Sequence, residues 1–195
     1  ELVRVKTPDG FDLPVLITWP TNMDNNKKYP VLISIYGGPN AGTVYDGWKG
    51  LGQAQWWAKE GMIQVAIDHR ASGHFGKVGQ NYIYKDLGNW EIKDYSEVVK
   101  WLDAKSYVDK NNMGLFGWSY GGFMTTDFML NHPDIFKAAV AGGPVMNWQY
   151  YEIMYTERYM DTPEENPGGY EATNLVKQAG KLKGKLLLIH GLQDP

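Results

Sequence analysis

Apolar residues along this chain fall into two kinds of run. Short, nearly continuous apolar stretches alternate with longer segments in which apolar positions recur every three or four residues. The first kind predicts strands covered on both faces, and the second predicts helices packed by one side. Residues 2–6 alternate apolar and polar, Pro8-Asp9-Gly10 turns, and residues 13–19 extend again, which predicts a hairpin. Residues 22–28 are polar and loop-like. Residues 31–36 (Val-Leu-Ile-Ser-Ile-Tyr) predict a buried strand, broken by Gly37-Gly38-Pro39-Asn40. A helix is expected over 48–59, stopped by Gly61, then a strand over 62–67 and a glycine-punctuated loop over 71–79. Residues 90–105 predict a helix with Val98, Val99 and Leu102 on one side. A strand at 113–116, a helix at 120–130 and a short strand at 138–141 follow. Residues 148–160 have helical spacing and dense aromatics, 163–170 read as loop, 172–182 as helical, and 185–189 as a last strand.

Strands alternating with helices predict an α/β fold: a mostly parallel sheet with helices on both faces. In such sheets, sites form beyond the carboxyl ends of the strands. Tyr36, Ser119, Val145 and Asp194 each lie just past a predicted strand, so distant parts of the sequence are expected on one rim.

Composition narrows the classes. At 195 residues, 43% hydrophobic and 14% aromatic, the chain supplies core for one domain. The net charge is −3 without a basic stretch, so nothing points to nucleic acid. No apolar run is long enough to span a membrane. The absence of cysteine excludes disulfides, thiol catalysis and zinc–thiolate sites. The start, Glu1-Leu-Val-Arg-Val, lacks signal-peptide character and reads as the inside of a longer chain.

The chemistry centres on Gly117-Trp118-Ser119-Tyr120-Gly121, a G-x-S-x-G pattern between a predicted strand and a predicted helix. So sharp a turn strains the serine backbone and needs small residues two positions either side, which Gly117 and Gly121 provide. It lifts the Ser119 hydroxyl above the sheet. The Tyr120 backbone N–H, at the helix start, is then available to a developing oxyanion. Serine needs a base, usually a histidine oriented by a carboxylate. Asp194, just past the last strand, is the candidate acid, with an ordinary turn aspartate as the plainer reading. The four histidines fit a base poorly. His69 precedes Ser119, His74 lies in a glycine-rich loop, and His132 looks like a helix terminator. His190 closes the last strand and reads as a packing or hydrogen-bonding residue. The base is therefore expected beyond residue 195.

Three stretches carry a family resemblance. They are residues 31–39 (Val-Leu-Ile-Ser-Ile-Tyr-Gly-Gly-Pro), 117–122 (Gly-Trp-Ser-Tyr-Gly-Gly) and 150–160, which contains Tyr-Thr-Glu-Arg-Tyr. Leu187-Leu-Ile-His-Gly191 followed by Asp194 also fits. Together they resemble the catalytic domain of the prolyl oligopeptidase family of serine peptidases, in its dipeptidyl peptidase IV branch. The resemblance covers nearly all 195 residues. It implies an α/β-hydrolase domain over 1–195, cut before its closing strand, histidine loop and final helix. The family's β-propeller would lie upstream. Ser119 resembles the nucleophile and Asp194 the triad acid. Tyr120 resembles the backbone oxyanion donor, and Tyr36 the tyrosine whose hydroxyl completes the oxyanion hole. Val145, Trp148, Tyr151 and Tyr155 match the pocket for a substrate proline; without the resemblance they read as an aromatic core helix. Glu157 and Arg158 are expected in a supporting ion-pair network.

The implied reaction is release of Xaa-Pro dipeptides through a serine acyl-enzyme, with proline or alanine at the substrate's second position and no metal or organic cofactor. The isolated chain is expected to be inactive without its histidine. The resemblance leans towards a periplasmic or extracytoplasmic site of action. An unpaired apolar last strand favours a homodimer or strand-exchanged oligomer. Prolyl endopeptidase or esterase activity on the same fold, or a non-catalytic binding module, are the alternatives.

Overall fold

The computed structural model describes residues 1–48 and 52–194. Strands β1 (Leu2–Lys6) and β2 (Asp12–Thr18) form the expected hairpin. Its turn is tied by Thr7, whose hydroxyl donates to Asp9 at 2.6 Å and accepts from the Phe11 N–H at 2.9 Å. The chain continues through β3 (Tyr29–Ile35), α1 (Gln53–Lys59), β4 (Ile63–Ile67), α2 (Gly76–Gln80), α3 (Asn89–Asp103) and β5 (Val108–Trp118). It then runs through α4 (Tyr120–Asn131), β6 (Ala138–Gly142), α5 (Ile153–Met160), α6 (Pro167–Ala172), α7 (Leu175–Gln178) and β7 (Lys185–Ile189).

The seven strands form one sheet in the order β1-β2-β4-β3-β5-β6-β7. The β1–β2 and β2–β4 pairs are antiparallel; every later neighbour pair is parallel. Register fixes the rim. Ile35 pairs with Gly117, Trp118 with Gly142, and Gly142 with Ile189. The residues that follow, Tyr36, Ser119, Gly143 and His190, therefore leave the sheet side by side.

The pleat sorts the side chains. Val31, Ile33, Ile35, Met113, Leu115 and Ala139 are buried and share a core with Tyr95, Val98 and Leu102 of α3 and Phe123, Met124 and Phe128 of α4. Leu32, Phe116 and Val140 point the other way. With Trp57 of α1 and Met62 they line an apolar groove of about 580 Å³. Among the described residues the two faces are thus unequally covered, fully by α3 and α4 and only in part by α1. The expectation of helices on both faces holds with that correction.

Several boundaries differ from expectation, and the strand expected at 113–116 runs from Val108 to Trp118. Residues 48–59 form a helix only from Gln53, and residues 49–51 lie outside the described residues. Residues 71–79 close with α2, followed by a 3-10 turn at Asn81–Ile83. The stretch expected as loop at 163–170 starts α6. There the Asn166 side chain accepts from the Gly169 N–H and Pro167 takes the first turn, a start signal in plain view. Residues 172–182 yield only the end of α6, then α7 and a 3-10 turn at Ala179–Lys181, with the break at Thr173–Asn174, where the Asn174 side chain caps α7 by accepting from the Lys177 N–H. The break at 148–160 shapes the site.

Candidate active site

Ser119 links β5 to α4 with φ 58° and ψ −118°. A non-glycine residue in this region is strained by about 1–3 kcal/mol, so the surroundings must impose it. They do. The Ser119 N–H donates to the Gly142 carbonyl at 2.8 Å, and its carbonyl accepts from the Phe123 N–H at 3.0 Å. A Cβ at Gly117 would overlap the Gly121 carbonyl, and one at Gly121 the Ile35 carbonyl. The two glycines let helix, strand and elbow close up. The Ser119 side chain does not cap its helix. Tyr120 opens α4, so its N–H has no intrahelical acceptor and lies at the positive end of a 12-residue helix.

Tyr36 leaves β3 with its ring 6.3 Å from that of Tyr120. Burial, and then the nearby Tyr151 and Tyr159 phenols, hold its hydroxyl pKa above the usual tyrosine value, so it remains a proton donor. Tyr36, Ser119 and Tyr120 border one side of a small cavity of about 30 Å³. Val145, Trp148, Tyr151 and Tyr155 border the other.

This second wall depends on the break in residues 148–160. Asn147 caps a 3-10 turn at Trp148–Tyr150, the chain extends through Tyr151 and Glu152, and only then does α5 begin. On a continuous helix Trp148 and Tyr155 would stand about 10 Å apart along the axis. The break instead stacks their rings at 5.9 Å and 12°, with Tyr151 edge-on to both. Burial raises the Tyr155 phenol pKa well above its usual value. A clasp fixes the far end of α5. Asp161, at φ 55°, accepts from the Tyr84 hydroxyl and pairs with Lys85, each at 2.7 Å. The Lys85 N–H in turn donates to the Tyr159 carbonyl at 2.7 Å. Glu157 and Arg158 make no ion pair among the described residues. Successive helical positions face different sides, which corrects the expected network.

On the other flank lies a cavity of about 320 Å³ bordered by Ser119, Trp118, Tyr151, His190 and Asp194. Asp194 follows β7 in a turn closed by its N–H to the Gly191 carbonyl at 3.3 Å. Its carboxylate lies 3.6 Å from His190 Nδ1, and both side chains are nearly half exposed. Of the two roles expected for His190, packing fails and hydrogen bonding holds: its Nδ1 lies 3.2 Å from the Gly191 carbonyl, and the ring shares a cavity with Ser119 and Asp194. The other three histidines are engaged elsewhere. His69 is buried, with Nε2 2.9 Å from the Gly37 carbonyl and Nδ1 accepting from the Ala71 N–H at 3.2 Å. That pattern fixes the neutral form with the proton on Nε2, and burial lowers its pKa to about 4. His74 meets Asp68 at 2.8 Å, and His132 ends α4 against the Phe128 ring.

Every residue assigned to the site from sequence thus borders one or both cavities at Ser119. The sequence profile of the prolyl oligopeptidase family matches residues 49–195. The chain belongs to the prolyl oligopeptidase family. Among members of this family it is 41% identical over 191 residues to the "Probable dipeptidyl-aminopeptidase B" of Ajellomyces dermatitidis, covering 96% of this chain and 21% of that protein. Its structure resembles that of a candidate dipeptidyl aminopeptidase IV from Bacteroides ovatus, with a TM-score of 0.93 and 47% identity over 97% of this chain and 27% of that one. Dipeptidyl peptidase 4 of Porphyromonas gingivalis gives the same TM-score at 34% identity, over 98% of this chain and 27% of that one. These likenesses identify the α/β-hydrolase fold. The chain spans about a fifth of the length of the curated prolyl oligopeptidase relatives it matches.

Two clusters escaped sequence reasoning. Arg70 is buried between Asp94 and Asp9, at 2.6 and 2.7 Å, under the rings of Phe11, Tyr82 and Trp90. Glu91, equally buried, bonds the Tyr120 hydroxyl at 2.7 Å. A signal for Glu91 was present: it occupies the same helical stripe as Tyr95, Val98 and Leu102, where an acid is out of place.

Proposed function

We propose that this chain supplies the nucleophile, acid, oxyanion donors and substrate pocket of a serine peptidase that removes dipeptides with proline or alanine at the second position. Ser119 Oγ attacks the carbonyl carbon of that second residue, whose bond to the next residue's nitrogen is the one broken, and a histidine takes the Ser119 proton. The oxyanion is held by the Tyr36 hydroxyl and the Tyr120 N–H, and the leaving amine departs with the proton. Water then hydrolyses the ester and restores Ser119. A flat pyrrolidine ring suits the slot between Tyr36 and the Trp148–Tyr155 stack. Asp194 orients the histidine. The observation that carries this reading is the elbow itself: a strained serine whose cavity holds an aromatic pocket on one flank and a carboxylate on the other.

The histidine is assigned to a segment outside these 195 residues. His190 already faces Asp194, yet it follows directly on β7 and makes no hydrogen bond to Ser119. The test uses the full-length protein and chromogenic dipeptides ending in proline. Rapid hydrolysis of substrates with a free amino end, none of blocked ones, and no turnover by the isolated chain are expected. Cleavage of blocked substrates would favour an endopeptidase. Ser119-dependent turnover by the chain alone would overturn the placement of the base.

A further inference from the structure

Glu91 lies in the first turn of α3 and is fully buried. Its Oε1 accepts from the Tyr120 hydroxyl at 2.7 Å, and among the described residues its Oε2 has no hydrogen-bond partner. Burying an ionised acid without a cation costs several kcal/mol, which the backbone N–H groups of Gly88 and Glu91 at the start of α3 offset only in part, so packing alone is a poor reason for it. The titratable groups facing it are Tyr120 and Asp127 from α4, Tyr155 from α5 and Tyr95 from its own helix; none is a cation.

The partner it holds is central. The Tyr120 ring lies 6.3 Å from Tyr36, 5.4 Å from Trp148 and 5.5 Å from Phe123. One side chain therefore joins the hydroxyl donor on β3 to the aromatic pocket before α5, and its backbone N–H is the other oxyanion donor. We infer that Glu91 is a positioning residue for the oxyanion site. By fixing the Tyr120 hydroxyl it locks the ring on which Tyr36 and Trp148 pack, and it keeps the N–H after Ser119 aimed at the cavity. The inference rests on Ser119 being the nucleophile.

Its protonation state carries a consequence. Burial is the largest influence and raises the Glu91 pKa from 4.5 to about 7. Below that pH the carboxyl is neutral. Above it, a buried negative charge sits behind donors that must stabilise an oxyanion, so kcat should decline as pH rises through about 7. Stability follows the same sense. With the folded pKa raised, the contribution of Glu91 is full below about 4.5 and is lost as pH rises through about 7.

The experiment measures kcat and KM of the full-length protein from pH 5.5 to 9 with a free-amino Xaa-Pro substrate, for wild type, S119A, E91A, E91Q and Y120F. E91A and Y120F should each lose about 10- to 100-fold in kcat with KM changed little, and their double variant should lose no more than either alone. E91Q, which mimics the neutral acid, should keep most of kcat at pH 6 and lose the decline above pH 7. If E91A does not fold, E91Q alone decides by whether that decline disappears. Wild-type kcat in E91A and Y120F, a change confined to KM, or an unchanged E91Q profile would overturn the inference. Residual hydrolysis by S119A would instead sink the peptidase reading itself.

Discussion

Ser119 holds a backbone conformation that only its neighbours make tolerable: a donor bond to the Gly142 carbonyl, and two glycines that admit close contact. That much was legible in the sequence, because the spacing of Gly117, Ser119 and Gly121 encodes the clash to be avoided. Tyr36 and Asp194 were legible by position past a strand. Arg70 was not, since whether a charge is buried depends on partners far along the chain, here Asp9 and Asp94, whereas Glu91 stood on the apolar stripe of α3 and was overlooked. The Tyr36 hydroxyl, kept protonated by burial, is the residue-scale test of the proposed oxyanion site. Y36F should lower kcat by about 10²- to 10³-fold with little effect on KM, measured in the full-length protein. A loss confined to KM would assign Tyr36 to substrate binding alone.

Elements with one dominant period were placed well, and those ruled by capping were not. The strands at β3, β4 and β7 and the helix α3 follow their apolar patterns, while α4, buried on nearly every side, was placed by the motif that opens it. The helical spacing at 148–160 was misleading in part, because aromatic rings packed around a cavity recur at much the same interval as rings along a helix. At 163–170, Asn166 and Pro167 start a helix within a stretch whose polar composition reads as loop. β7 raises a different question. It is an edge strand, and Leu187, Leu188 and Ile189 are 56%, 49% and 42% exposed. An apolar edge with open backbone groups favours pairing with another chain. The isolated chain should therefore form dimers or larger species with rising concentration in light scattering. L187K and L188E should restore the monomer, and a wild-type chain that stays monomeric at high concentration would contradict this.

At the scale of the whole molecule, the decisive fact is register. Because Ile35, Gly117, Ala141 and Leu188 are held level across β3, β5, β6 and β7, residues more than 150 positions apart in sequence converge at one rim. The uneven cover of the two faces leaves that rim intact, since α3 and α4 pack the side from which Ser119 and Tyr120 emerge. The rim position follows from the alternation of strands and helices; the depth and shape of the two cavities at Ser119 do not, since they depend on side-chain contacts made only after folding. The most direct test is to treat the full-length protein with a fluorophosphonate and locate the adduct by peptide mass spectrometry. Stoichiometric modification of Ser119, abolished in S119A and slowed in D194N, is the predicted result. Labelling of another residue, or an unreactive Ser119 in a protein that still hydrolyses Xaa-Pro substrates, would contradict it.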